Sequence, residues 1–220
     1  AIEGSLFAGV PVNVTPLLSA AQYRAAAEAY MAGVERRIAA GRDPRFGSVA
    51  SIFVSRWDVA VKDTAPKELR NRLGIAIAKR TYREYRGVLA SPRWRALAAA
   101  GAQPQRLLWA STGTKDPAAP DTLYVEALAA PDTINTIPEK TLLAFADHGR
   151  VSDALPPDGG DAEAVLAEVT LRGVSDSMLA APLQREGAAS FDALWKDLLG
   201  CLAAKRAALL PPDHVTAGPS

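Results

Sequence analysis

Four short apolar or β-branched runs, each followed by a stretch with helical periodicity, set the narrowest limit on what this chain can fold into. Strands that alternate with helices cannot be joined by tight hairpins. They lie parallel in one sheet with the helices packed on it, either doubly wound or closed as a barrel. The first run alternates Val10, Val12 and Val14 with Pro11, Asn13 and Thr15, which predicts a short strand that Pro16 closes. Ser19 and Gln22 have capping-box spacing, and Tyr23, Ala27, Tyr30, Val34 and Ile38 then recur at helical intervals until Gly41. Residues 49–54 predict a second strand, and 66–89 a helical stretch carrying Leu69, Leu73, Ile77 and Tyr85. Ser91-Pro92 opens a shorter helix that ends near Gly101. A third strand is predicted at 106–111, a short helix at 122–128, a weaker fourth strand at 132–137, and a helix from Pro138-Glu139 to about His148.

Beyond Val151 the pattern changes. A loop rich in Pro, Asp and Gly precedes two or three helices, the last predicted at 190–209 with Phe191, Leu194, Trp195, Leu198 and Leu202 on one stripe, read as helix packing. Asp158, Asp161 and Glu163 are expected to be solvated, and 211–220 to form a frayed tail. With 49% hydrophobic and 22% charged residues among 220, the chain is rich enough in apolar groups for a real core. A net charge of +1 supplies no broad field for nucleic acid or a membrane surface, so any phosphate-binding character is local. The single cysteine, Cys201, excludes an internal disulfide, and no run of about 18 apolar residues is present to span a bilayer. A cytoplasmic location is expected. The opening segment, AIEGSLFAGV, reads as a helix end running into a strand, as though the chain begins within a fold.

In a βα barrel the C-terminal ends of the strands surround the active site. Those positions hold Asn13 and Thr15, Ser51 and Phe53 with Arg56 just beyond, Ser111 with Lys115 just beyond, and Asn135. Asn13 and Thr15 share strand parity, as do Ser51 and Phe53, so each pair shares a face. Hydroxyls and amides there suit a polyhydroxylated ligand, or else cap the following helices. Arg56 and Lys115 follow different strands and are expected to converge on one anion, with phosphate the obvious candidate. Residues 111–115 lack the residue order of a P-loop. His148 and His214 are the only histidines, so neither a histidine triad nor a histidine metal centre is expected.

Four stretches, Val12–Ser19 (VNVTPLLS), Val49–Arg56 (VASIFVSR), Leu108–Lys115 (LWASTGTK) and Asp132–Pro138 (DTINTIP), together resemble transaldolases. The likeness is greatest to the bacterial type that occurs alone or fused to glucose-6-phosphate isomerase. Their order and separation match strands five to eight of that (β/α)8 TIM barrel. The resemblance implies that 1–149 is the C-terminal half of the barrel and that 150–210 is a helical extension packed on it. It implies that Asn13 contacts the sugar and Thr15 orients the water used in proton transfer. Ser51 and Phe53 would shape the pocket, while Arg56, Ser111 and Lys115 hold the phosphate. Two departures stand out: the family often has Arg shortly after the seventh-strand Ser, where this chain has Gly113 and then Lys115, and Pro16 replaces a commoner Leu.

The expected activity is transfer of a dihydroxyacetone unit between sugar phosphates through a lysine Schiff base, with no metal or organic cofactor. The family's Schiff-base lysine lies on strand four and its acid and base carboxylates on strands one and three, upstream of this chain. The partners implied are sugar-phosphate substrates and the missing N-terminal half of the barrel, with a homo-oligomer as a further expectation. One alternative is a non-catalytic half-barrel that binds sugar phosphates or a partner chain. Another makes Lys115 itself the imine-forming amine.

Overall fold

A computed structural model of the protein describes residues 1–151 and 153–209. Its elements are α1 (Ile2–Phe7), β1 (Asn13–Leu17), α2 (Ala20–Ala39), β2 (Ser48–Phe53), α3 (Ser55–Ala60), α4 (Leu73–Ala90), α5 (Pro92–Ala99), β3 (Gln105–Ala110), α6 (Leu123–Ala127), β4 (Thr133–Asn135), α7 (Glu139–His148), α8 (Ala162–Leu171) and α9 (Asp176–Leu209). A 3-10 turn at Lys67–Leu69 precedes α4. The four strands pair in parallel in the order β1-β2-β3-β4, as successive βα units dictate.

The two-residue period of the strands divides the core. Ala50, Ile52, Leu107 and Trp109 point to the side where α2 and α4 supply Tyr23, Ala27, Tyr82 and Tyr85. Phe53, Leu108 and Ala110 point to the other side and join a second cluster with Trp57 and Leu73, Val165 and Leu166 of α8, and Leu183 of α9. Helix ends follow their local signals. Ser19 Oγ accepts from the Gln22 N–H at 3.2 Å, while the Gln22 side chain reaches back to the Leu18 N–H at 2.7 Å. Ser91 caps α5 by accepting from the Trp94 N–H, with Pro92 in the first turn.

Several expectations are corrected. The first strand is Asn13–Leu17, not 10–15; Val10 is 53% exposed, and Pro16 lies inside the strand. Pro16 is tolerated because it falls within an irregularity in the pairing with β2. Between Val14 and Leu17 the chain takes three steps while β2 takes two, from Ala50 to Ile52. That extra residue returns Leu17 to the helix-facing core beside Val14. The expected 66–89 helix begins only at Leu73, after Asn71 adopts a left-handed φ of 60°.

Residues 190–209 are the distal part of a helix that starts at Asp176 and contains Pro182. Of its stripe only Phe191 meets the core, against Phe53; Trp195 is 60% exposed, and Leu194, Leu198 and Leu202 are also open. Asp161 and Glu163 are paired rather than merely solvated, with Lys79 and with Arg80 and Arg83, fastening α8 to α4. The tail at 211–220 and His214 lie outside the described residues. No helix among the described residues is long and apolar enough to cross a membrane.

Candidate functional site

The β2–β3 ladder continues past the strands. The Val54 N–H donates to the Ala110 carbonyl at 3.0 Å and the Ser55 N–H to the Ser111 carbonyl at 3.1 Å, while the Ser55 and Ser111 hydroxyls meet at 2.8 Å. Ser111 takes a left-handed φ of 58°, a conformation seldom adopted by a side-chain-bearing residue and often found where a loop is shaped for function. The zipped pair places the start of α3, with Arg56, beside the 111–117 loop, with Lys115. Between them opens a cleft of about 900 Å³ whose lining includes Ser55, Arg56, Ser111 and Lys115.

Of the expected residues, the structure therefore brings Arg56, Ser111 and Lys115 to one cavity. Among the described residues neither Arg56 nor Lys115 takes part in an ion pair. Arg56 is half-buried, its guanidinium carbon 5.1 Å from the centroid of the Phe53 ring. Asp63, Asp116 and Glu186 also line the cleft, so the cations that no ion pair engages, flanking hydroxyl groups, suit an anion held by direct hydrogen bonds, a phosphate or carboxylate.

Asn13, Thr15, Ser51 and Phe53 do not line that cleft. The pairing of Asn13 with Val49 puts Asn13, Ser51 and Phe53 on one sheet face. There the buried Ser51 hydroxyl donates to Asn13 Oδ1 at 2.7 Å, so Ser51 orients the Asn13 amide. Asn13 and Thr15 are exposed. Phe53 links the two regions, stacked by Arg56 on one side and meeting Phe191 of α9 edge-on at 6.1 Å. Asn135 is not on this face: it pairs with Trp109, and its Oδ1 accepts from Thr112 at 2.8 Å.

Several lining residues escaped the sequence. Lys62, Arg70 and Asn71 come from the irregular stretch before α4, and Asn71 donates to Asp116 at 2.8 Å across the cleft. α9 crosses the strand ends. Gln184 donates to the Pro16 carbonyl at 2.9 Å, and a Cβ on Gly187 would lie 3.0 Å from the Pro16 ring and 3.4 Å from Arg56 Nη1.

Asp58, only 6% exposed, accepts from the Leu73 N–H at 3.1 Å, the Gly74 N–H at 3.3 Å and the Tyr124 hydroxyl at 2.8 Å. Burial pushes its carboxyl up to about 6 against the pull of those three donors, and burial together with Asp58 pushes the Tyr124 phenol up. The one available signal was an acid inside the apolar run Trp57-Asp58-Val59-Ala60-Val61.

Residues 1–202 match the family model described as Transaldolase/Fructose-6-phosphate aldolase. The chain is 49% identical over 208 residues to a transaldolase of Parafrankia sp. (strain EAN1pec), covering 90% of this chain and 56% of that protein. It is 46% identical over 212 residues to a transaldolase of Frankia alni, covering 92% of this chain and 57% of the relative. With a transaldolase of Neisseria meningitidis it shares 42% over 203 residues, covering 92% and 58%. The chain thus spans just over half the length of the curated relatives it matches.

Proposed function

The chain belongs to the transaldolase/fructose-6-phosphate aldolase family, and on that premise we propose that it forms strands five to eight of a (β/α)8 barrel and supplies the sugar- and phosphate-binding side of a transaldolase site. The observation that carries the proposal is the convergence of Arg56, Ser111 and Lys115 on one cleft at the C-terminal ends of β2 and β3. Arg56 forks onto phosphate oxygens, Ser111 donates its hydroxyl, and Lys115 adds a point charge. Holding the phosphate fixes the sugar chain relative to the sheet, with Asn13 on a substrate hydroxyl and Thr15 on the water that shuttles protons.

In the reaction, a lysine amine adds to the C2 carbonyl of a ketose phosphate and expels water as an imine. The C4 hydroxyl gives up its proton, the C3–C4 bond breaks, and its electron pair is held by the imine while the aldose phosphate leaves. The resulting nucleophile attacks an acceptor aldehyde such as erythrose 4-phosphate, and hydrolysis returns the amine. The imine-forming lysine is assigned to a segment upstream of this chain. Lys115 is a poor substitute: it is exposed on a loop, on the side of the cleft assigned to the phosphate. The exposed Asn13 and Thr15, and the bare stripe of α9, are consistent with a surface that takes up the other half of the barrel. The proposed setting is the cytoplasm.

Borohydride trapping with fructose 6-phosphate tests the assignment. The 220-residue chain alone is expected to give no dihydroxyacetone adduct by mass spectrometry. Supplying the upstream half by fusion or co-expression is expected to give one on a lysine of that half, together with transfer to erythrose 4-phosphate. An adduct on Lys115 of the chain alone sinks the proposal.

A further inference from the structure

The helix that carries Arg56 is six residues long, too short to hold its own position, and no side chain caps it. It is fixed from outside, side chain by side chain. The Ser55 hydroxyl meets Ser111, and the Trp57 indole N–H donates to the Leu18 carbonyl at 3.0 Å. Asp58 reaches the first turn of α4 and Tyr124 of α6.

α4 itself lacks a side-chain cap at Arg72, so the carboxylate of another helix meets two of its free N–H groups. The approach depends on Gly74, where a Cβ would come 2.5 Å from the Val54 carbonyl oxygen and 2.7 Å from Asp58 Oδ2. Tyr124 belongs to the segment that follows Lys115, so its hydroxyl ties the second arm of the cleft to the first. Asp58 and Tyr124 both line the cleft. Three donors from two elements converge on one buried group, and the two oxygens of Asp58 accept from all of them. A buried charge is costly, and its cost is best explained by the geometry it fixes.

We propose that Asp58, with Tyr124, is a positioning residue for the phosphate clamp: its carboxylate locks the helix bearing Arg56 to α4 and to the segment after Lys115, so that both cations face one anion. This rests on the phosphate-binding role proposed above. Loss of the tie lets α3 and the 111–117 loop move apart, which weakens the grip on phosphate and leaves the bond-breaking chemistry alone.

The test uses the full-length enzyme with saturating erythrose 4-phosphate, reading KM for fructose 6-phosphate, kcat per folded molecule, and Ki for inorganic phosphate. Asp58→Ala is expected to raise KM and the phosphate Ki together by roughly tenfold, and Tyr124→Phe by roughly threefold, the scale of one displaced charged hydrogen bond. In both variants kcat is expected to stay within about twofold. Asp58→Ala combined with Arg56→Ala is expected to bind phosphate no more weakly than Arg56→Ala alone.

Unchanged KM and Ki with only a lower thermal midpoint, or full additivity in the double variant, overturns the positioning role. If Arg56→Ala leaves the phosphate Ki unchanged, the phosphate site itself is wrong and the positioning role falls with it, an outcome distinct from the first. Should Asp58→Ala fail to fold, Tyr124→Phe, which keeps both α4 hydrogen bonds, decides the matter by the same two readouts.

Discussion

Asp58 also makes a stability prediction whose sign runs against that of Glu35, Asp43, Asp116, Asp121, Asp161 and Glu163, whose carboxyls are shifted down. Burial pushes its carboxyl to about 6, whereas in the unfolded chain it titrates at 3.8. The folded state therefore holds this proton more tightly than the unfolded state. Asp58 favours folding when protonated and loses that contribution as pH rises through 6. The facing groups do not blur the window: the α4 amides do not titrate, and Tyr124 stays protonated because its phenol is shifted up. Asp116, which adds to the field on Tyr124, is itself held low by Asn71 and the Ala118 N–H.

Asp58→Asn removes the titration. Relative to that variant, the wild-type protein is expected to gain about 1.4 kcal/mol between about pH 7.5 and about pH 5. Glu35, Asp43, Asp121, Asp161 and Glu163 have lowered values and lose their contributions as the medium turns acid. They do so in both proteins, so the difference isolates Asp58. Urea midpoints of the pair at several pH values measure it. A flat difference, or one that favours the variant at low pH, means that the α4 amides and Tyr124 outweigh burial and keep the carboxylate ionised.

Gly74→Ala is expected to cost about 1–3 kcal/mol, because its methyl group meets a backbone carbonyl that cannot turn away, and to raise the KM for fructose 6-phosphate as α4 is pushed off Asp58; a variant with wild-type melting and KM refutes the close approach. Thr15→Ala is expected to lower turnover of the complete enzyme while stability stays within about 0.5 kcal/mol, since the side chain is exposed. A drop in melting temperature with activity intact per folded molecule makes Thr15 a structural residue instead.

Much of the framework was legible in the sequence because it is written in short-range chemistry. β2 and β3 are apolar runs with clear ends, and α2 announces itself through the Ser19 cap and a periodic face that stops before Gly41. The alternation that marked β1 was misleading. Val10, Val12 and Val14 mimic a strand face, but burial in this segment is complete only at Pro16, Leu17 and Leu18, after the extra residue. α3 left no trace because six residues hold too little periodicity to detect. Its anchoring by Asp58 depends on a helix start 15 residues away, a contact no local pattern encodes. Arg56, Ser111 and Lys115 were recoverable because each lies a few residues beyond the C-terminal end of β2 or β3. Arg70, Tyr124 and Glu186 were not, since they reach the cleft from segments whose placement is set by tertiary packing.

The distribution of anchoring separates two tasks within the chain. Every group assigned to the phosphate is held by contacts among the described residues: Ser111 by Ser55, Arg56 by Phe53 and the short helix, and the Lys115 loop by Asn71 through Asp116. The groups assigned to the sugar are less completely held, since Asn13 has Ser51 as a partner but both Asn13 and Thr15 stand exposed on the sheet face. A preorganised anion site needs no reorganisation when its ligand arrives, and so depends little on what else surrounds it. An exposed amide and hydroxyl gain catalytic strength only when water is excluded around them. Phosphate affinity and covalent chemistry should therefore come apart, the first following Asp58 and its tie to Tyr124, the second following whatever closes over Asn13 and Thr15.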